Sequence, residues 1–83
     1  MNPPQVSRVL RWFEKGSGEA FVGEETLSEI RLIDLQREFR VESTNPMCDC
    51  WKVEEQHVGF VQNHCRTIIV LGEFDYFVEA DAI

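Results

Sequence analysis

Trp12-Phe13-Glu14-Lys15, followed after Gly16-Ser17-Gly18 by Phe21-Val22-Gly23-Glu24-Glu25, is the stretch that decides how this chain folds. Before the glycines, residues 6–14 alternate. Leu10 and Trp12 fall on one face, while Val9, Arg11 and Phe13 fall on the other, which is the period-two pattern of a half-buried strand. Gly16 and Gly18 suit a tight reversal through positive φ. A second strand is therefore expected over residues 19–28, closing a hairpin that carries aromatics and a carboxylate pair together.

Beyond the hairpin the period changes. Leu32, Leu35, Gln36 and Phe39 recur at three- and four-residue steps, and Asp34 stands in a first turn where its charge suits the helix dipole. A short helix is expected over residues 31–40. Residues 42–46 are polar and end in Asn45-Pro46, a loop signal. Alternation resumes with Met47, Asp49, Trp51 and Val53 against Cys48, Cys50 and Lys52, giving a third strand over residues 47–53. Residues 54–65 place Val58 and Val61 at helical spacing behind Glu54 and Glu55, with Gly59 weakening the helix. Residues 67–71 are β-branched and apolar, Gly72-Glu73 is a turn candidate, and residues 74–80 read as a last strand. The order β-β-α-β-α-β points to an α+β fold, a four-stranded antiparallel sheet with one or two short helices packed on one face.

Composition bounds what such a chain does. Its 83 residues feed one core, so residues 1–83 are expected to form a single domain, with 1–5 flexible. The chain carries 15 acidic against 8 basic side chains, a net charge of -7. Clustered cations for phosphate are missing, which argues against nucleic acid, and anionic lipid would repel the surface. No stretch approaches a membrane span or a secretory signal, so the cytosol is the expected compartment. Three cysteines, two of them separated by one residue, make a poor disulfide framework and fit reduced thiols.

A sheet covered on one side exposes the other, and here that side is not wholly polar. With Leu10, Trp12, Trp51 and Val53 packed as core, alternation sends Arg11, Phe13, Cys50 and Lys52 to the open side, joined from the hairpin by Phe21 and Glu25. Aromatics mixed with charge on an open sheet mark a protein-binding surface. Phe13 and Phe21 would equally stabilise the sheet by cross-strand pairing. Acidic charge steers such a surface toward a cationic partner.

These residues resemble the cloacin immunity family, the small acidic inhibitors of ribosome-inactivating, RNA-cleaving colicins, and the same small-domain pattern resembles immunity-like domains beside polymorphic and contact-dependent toxins. The resemblance rests on Trp12-Phe13-Glu14-Lys15, Phe21-Val22-Gly23-Glu24-Glu25, Asp49-Cys50-Trp51-Lys52-Val53 and Tyr76-Phe77-Val78, spans residues 9–81 and is weakest across residues 28–45. It implies a sheet whose open face binds the toxin's basic nuclease domain in a 1:1 complex, through positions matching Phe13, Phe21, Glu24, Glu25 and Cys50. Asp49 and Lys52 adjoin them. The chain departs from the pattern by an extra residue in its first turn, a shorter acidic loop after the helix, and Lys52 where an acid is usual. The resemblance thus implies a bacterial toxin inhibitor that leaves the cell only as a toxin complex. Which toxin, and which nucleic acid it cuts, stays open at this level, as does the choice between Glu24 and Glu25 as the partner-facing acid.

Other chemistries fit less well. Cys48, Cys50, His57, His64 and Cys65 are soft ligands, but C-x-C on a strand turns both sulfurs to one face with poor bite for zinc. No metal or cofactor is expected. His57 and His64 lack an orienting acid, and adjacent Glu24 and Glu25 point to opposite faces, so no catalytic constellation converges. The alternatives to an inhibitor are a small interaction module without a toxin partner and a zinc-binding domain. An exposed sheet face or edge also offers a route to a weak homodimer of the free protein.

Overall fold

A computed structural model describes residues 6–16 and 20–83. The expectation for residues 1–5, and the part of the first turn at 17–19, lie outside them. The hairpin consists of β1 (Val6–Glu14) and β2 (Phe21–Thr26); α1 (Leu32–Phe39), β3 (Trp51–Lys52), a 3-10 turn (Glu55–His57), α2 (Val58–Gln62) and β4 (Phe74–Ala82) come after it. The four strands form one antiparallel sheet in the order β2-β1-β4-β3. The α+β fold read from the sequence is thus the fold observed. β1 pairs along its whole length with β4, from Val6 opposite Ala82 to Glu14 opposite Phe74, so the first and last strands hold the centre and β2 and β3 form the edges.

Leu10, Leu35, Met47, Val53, Val61, Tyr76 and Val78 are fully buried in one cluster. It lies between the Leu10 face of the sheet and the helices. Trp12 and Trp51, expected in the core beside Leu10 and Val53, are half-buried and pack against its margin. Trp12 reaches across β2. The β1–β2 register shifts between Trp12 opposite Gly23 and Phe13 opposite Phe21, leaving Val22 as the extra residue of a bulge. A Cβ on Gly23 would lie 2.6 Å from the Trp12 ring, so the indole occupies the space a side chain would fill.

Buried polar groups tie the irregular segments down. The Gln36 amide donates to Ser43 O at 3.2 Å and Asn45 O at 2.8 Å, while Gln62 donates to Thr67 O at 2.7 Å and accepts from Ile69 N at 3.0 Å. His57 is buried, stacked on Phe39 at 4.2 Å, and its Nδ1 accepts the Glu54 N–H at 3.0 Å. Each bond satisfies a main-chain group that would otherwise be costly to bury.

Two element boundaries differ from expectation. The third strand is only Trp51–Lys52. Met47 instead takes φ 54 with its side chain buried, held by Asn45 Oδ1, which accepts Met47 N at 2.8 Å, and by the Arg8 guanidinium, which donates to the Pro46 and Met47 carbonyls. Side-chain bonds to this backbone replace ladder bonds. The helix expected over residues 54–65 is a 3-10 turn followed by one α-helical segment ending at Gln62. Residues 67–71, β-branched and apolar, are held outside the sheet by Gln62, Glu25 and the Tyr76 hydroxyl, which accepts Val70 N at 3.1 Å.

Candidate functional site: the open face of the sheet

Alternation along β1 and β4 turns Val9, Arg11 and Phe13, and Phe77, Glu79 and Asp81, to the face opposite the core. β2 adds Phe21 and Glu24, and β3 adds Lys52 opposite Phe77. Across the strands these residues sort into two rows.

The first row is aromatic. The Phe13 ring meets Phe21 on one side at 5.9 Å and Phe77 on the other at 5.8 Å, both edge-to-face. Edge-to-face pairs of this kind stabilise a sheet by about 0.5–1.5 kcal/mol beyond area burial. They also leave apolar surface in water, since Phe21 is largely exposed.

The second row is ionic and centres on Arg11. Its guanidinium donates to Glu24 at 2.9 Å, to Glu79 at 2.9 Å and to Asp81 at 2.6 Å. Those bonds, Asp81 first, raise the already high Arg11 pKa, and they hold the Asp81 carboxyl below its ordinary range. Three carboxylates surround one guanidinium, so the row stays anionic after internal pairing. Cys50 continues it. Partial burial, then the Glu79 and Asp49 carboxylates, push its thiol above the ordinary cysteine value, which keeps it a neutral, small contact beside the acids.

Glu24 and Glu25 have different places. Glu24 stands on the open face, its side chain 53% exposed while one oxygen holds Arg11. Glu25 lies on the core side opposite Leu10. Its carboxylate accepts Arg66 N at 2.7 Å, Thr67 N at 2.8 Å and Thr67 Oγ1 at 2.6 Å. The sequence expectation that Glu25 joins the open face is corrected: this acid anchors the segment after α2. The open face thus brings together Phe13, Phe21, Glu24, Cys50 and Lys52; Asp49 is exposed just outside β3. Sequence alone did not place Phe77, Glu79 and Asp81 on the open face, although the alternation of the last strand does so once its phase is fixed by buried Tyr76 and Val78.

The Thr67 hydroxyl and the Arg66 and Thr67 N–H groups lower the Glu25 pKa. A depressed folded-state pKa contributes stability that is present above the ordinary carboxylate value of about 4.3 and is lost as pH falls through the lower folded value. Glu25→Gln is expected to reduce stability at pH 7 by roughly 1 kcal/mol. The difference from wild type should close as the wild-type carboxylate is protonated. Urea titrations at neutral and acid pH check this; a gap that persists in acid would mean that shape, not charge, holds the segment.

Among the described residues, no three His, Cys, Asp or Glu side chains gather into a metal-holding group. The ring nitrogens that zinc would need are in part engaged, His57 Nδ1 by Glu54 N and His64 Nδ1 by Ser28 Oγ at 3.0 Å. Nor is any helix among these residues long and apolar enough to cross a membrane. In comparison with known proteins, residues 7–79 match a family described as "Domain of unknown function (DUF7683)". No curated protein matches the chain.

Proposed function

The chain belongs to the DUF7683 family, and we propose that it is an immunity-type protein, a stoichiometric inhibitor of a cognate bacterial nuclease toxin. The toxin would be a ribonuclease of the ribosome-cleaving colicin kind, bound 1:1 by the open sheet face in the bacterial cytoplasm and exported only as that complex. The inhibitor has no chemistry of its own. The observation that carries this reading is the aromatic row of Phe21, Phe13 and Phe77 beside an Arg11 cluster with carboxylates in excess. The resemblance of the Trp12 to Glu25 and Asp49 to Val53 stretches to cloacin immunity proteins supports it.

The physics suits inhibition. A nuclease that binds anionic RNA needs a basic surface, and a protein of net charge -7 is steered to it quickly. Glu24, Glu79 and Asp81 would then meet the toxin's cations, while the desolvated aromatic row slows dissociation.

The test is co-expression with any nuclease toxin domain encoded beside it, scoring a 1:1 complex and rescue of growth. Both are expected, and both should be lost with Phe13→Ala combined with Cys50→Arg, which places a cation beside Glu79 where the partner's cation would sit. Absence of complex and rescue would return the chain to an interaction module without a toxin partner.

A further inference from the structure

β2 is an edge strand, and its outer side is open. Leu27 N donates to Arg8 O at 2.8 Å, which fixes the phase of the β1–β2 ladder. Leu10 with Glu25 and Trp12 with Gly23 are then the pairs that exchange main-chain bonds, and alternation turns the N–H and C=O of Glu24 and Thr26 away from β1. The next outward group, Ser28 N, is already taken: it donates to His64 O at 2.9 Å. One rung of an additional strand therefore exists, and it stops at Ser28.

A cleft of about 780 Å³ lies along this edge, walled by residues 24–28 on one side and 63–67 on the other. Its floor is fixed, because the Glu25 carboxylate ties Arg66 and Thr67 to β2. Phe21 and Val22, at the start of the same strand, are exposed. An extended main chain laid in the cleft would continue the rung set by His64 with bonds to Thr26 and Glu24.

We propose that the β2 edge is a second binding site, which takes an extended basic segment of a partner protein as an added strand. Charge selects the occupant at Glu24; Arg66, which also lines the cleft, is held by its main chain to Glu25 on the core side. A second copy of β2 pairing antiparallel about Glu24 or Glu25 would set carboxylate opposite carboxylate, which destabilises a strand pair. A segment with Lys or Arg opposite Glu24 meets instead the carboxylate that Arg11 leaves half-exposed. Main-chain bonds would give affinity and the alternating cations selectivity. The site shares Glu24 with the open face but uses the outward main chain of β2 instead of the Phe13 and Phe77 rings, and it needs no nuclease to exist.

The experiment uses the isotope-labelled full chain and two synthetic blocked peptides, one alternating Lys with Thr and one alternating Glu with Thr. The Lys peptide is expected to shift and protect the Glu24 and Thr26 amides, and the Glu peptide to leave them unchanged. Thr26→Pro removes an outward N–H that β1 does not use, a position where proline is tolerated, and should abolish binding. Glu24→Lys should weaken the Lys peptide about fivefold and admit the Glu peptide, a readout that stands even if the proline disturbs folding. The proposal is overturned if the Lys peptide leaves the β2 amides unmoved, if its shifts fall on Phe13 and Phe77, if both peptides bind equally, or if the free chain dimerises through these amides.

Discussion

Leu10→Ala is expected to lower the unfolding free energy by about 3–5 kcal/mol, read as a lower urea midpoint at unchanged slope. Leu10 is 0% exposed and sits on the central strand, with Glu25 on one side and Val78 on the other. Truncation loses the transfer energy of the deleted atoms. It also leaves a cavity in the cluster that includes Leu35 and Tyr76, and a strand paired on both sides is poorly placed to collapse into it. Small domains hold about 5–15 kcal/mol in all, so one such cavity brings this chain near its folding threshold. Val9 is the control. It is 3% exposed but lies on the opposite face, outside the core cluster, covered by neighbours on the sheet surface. Val9→Ala should cost clearly less. Equal losses at the two positions would contradict a core confined to one face.

That contrast shows why the sheet was legible and part of the rest was not. Alternation around Trp12 and Phe13 carries its own phase, so the two faces of β1 followed from sequence alone, and with them the open positions of Phe13, Phe21 and Cys50. Helix α1 was equally plain from the spacing of Leu32, Leu35 and Phe39. The segment before Trp51 misleads for a physical reason: Met47 to Val53 alternates like a strand, yet Asn45 and Arg8 capture the Pro46 and Met47 main chain from the side. Such bonds depend on residues distant in sequence and leave no local period. The same holds for Glu25, whose role is set by Thr67 across the core-side surface. Periodicity places adjacent acids on opposite faces without saying which face is wet, and only the partner of each decides it.

The aromatic row on the open side would anchor the proposed partner through its central ring. Phe13 is its middle member, in contact with Phe21 at 5.9 Å and Phe77 at 5.8 Å, so Phe13→Ala splits one apolar strip into two unsupported rings. Central, well-packed aromatics of an interface cost about 2–4 kcal/mol when truncated, and most such losses appear in the dissociation rate. The off-rate from the proposed nuclease partner should therefore rise about 30-fold or more, with the on-rate nearly unchanged. Glu24→Gln should do the reverse. It removes exposed charge without apolar area, so it should slow association and flatten its salt dependence while sparing the off-rate. Because Phe13 is only half-buried, the alanine variant remains folded enough for the comparison, which a melting curve verifies. An unchanged off-rate in that folded variant would remove Phe13 from the binding surface and leave the row as sheet packing alone. A slowed on-rate instead would mean that the ring acts by shaping the Arg11 cluster beside it.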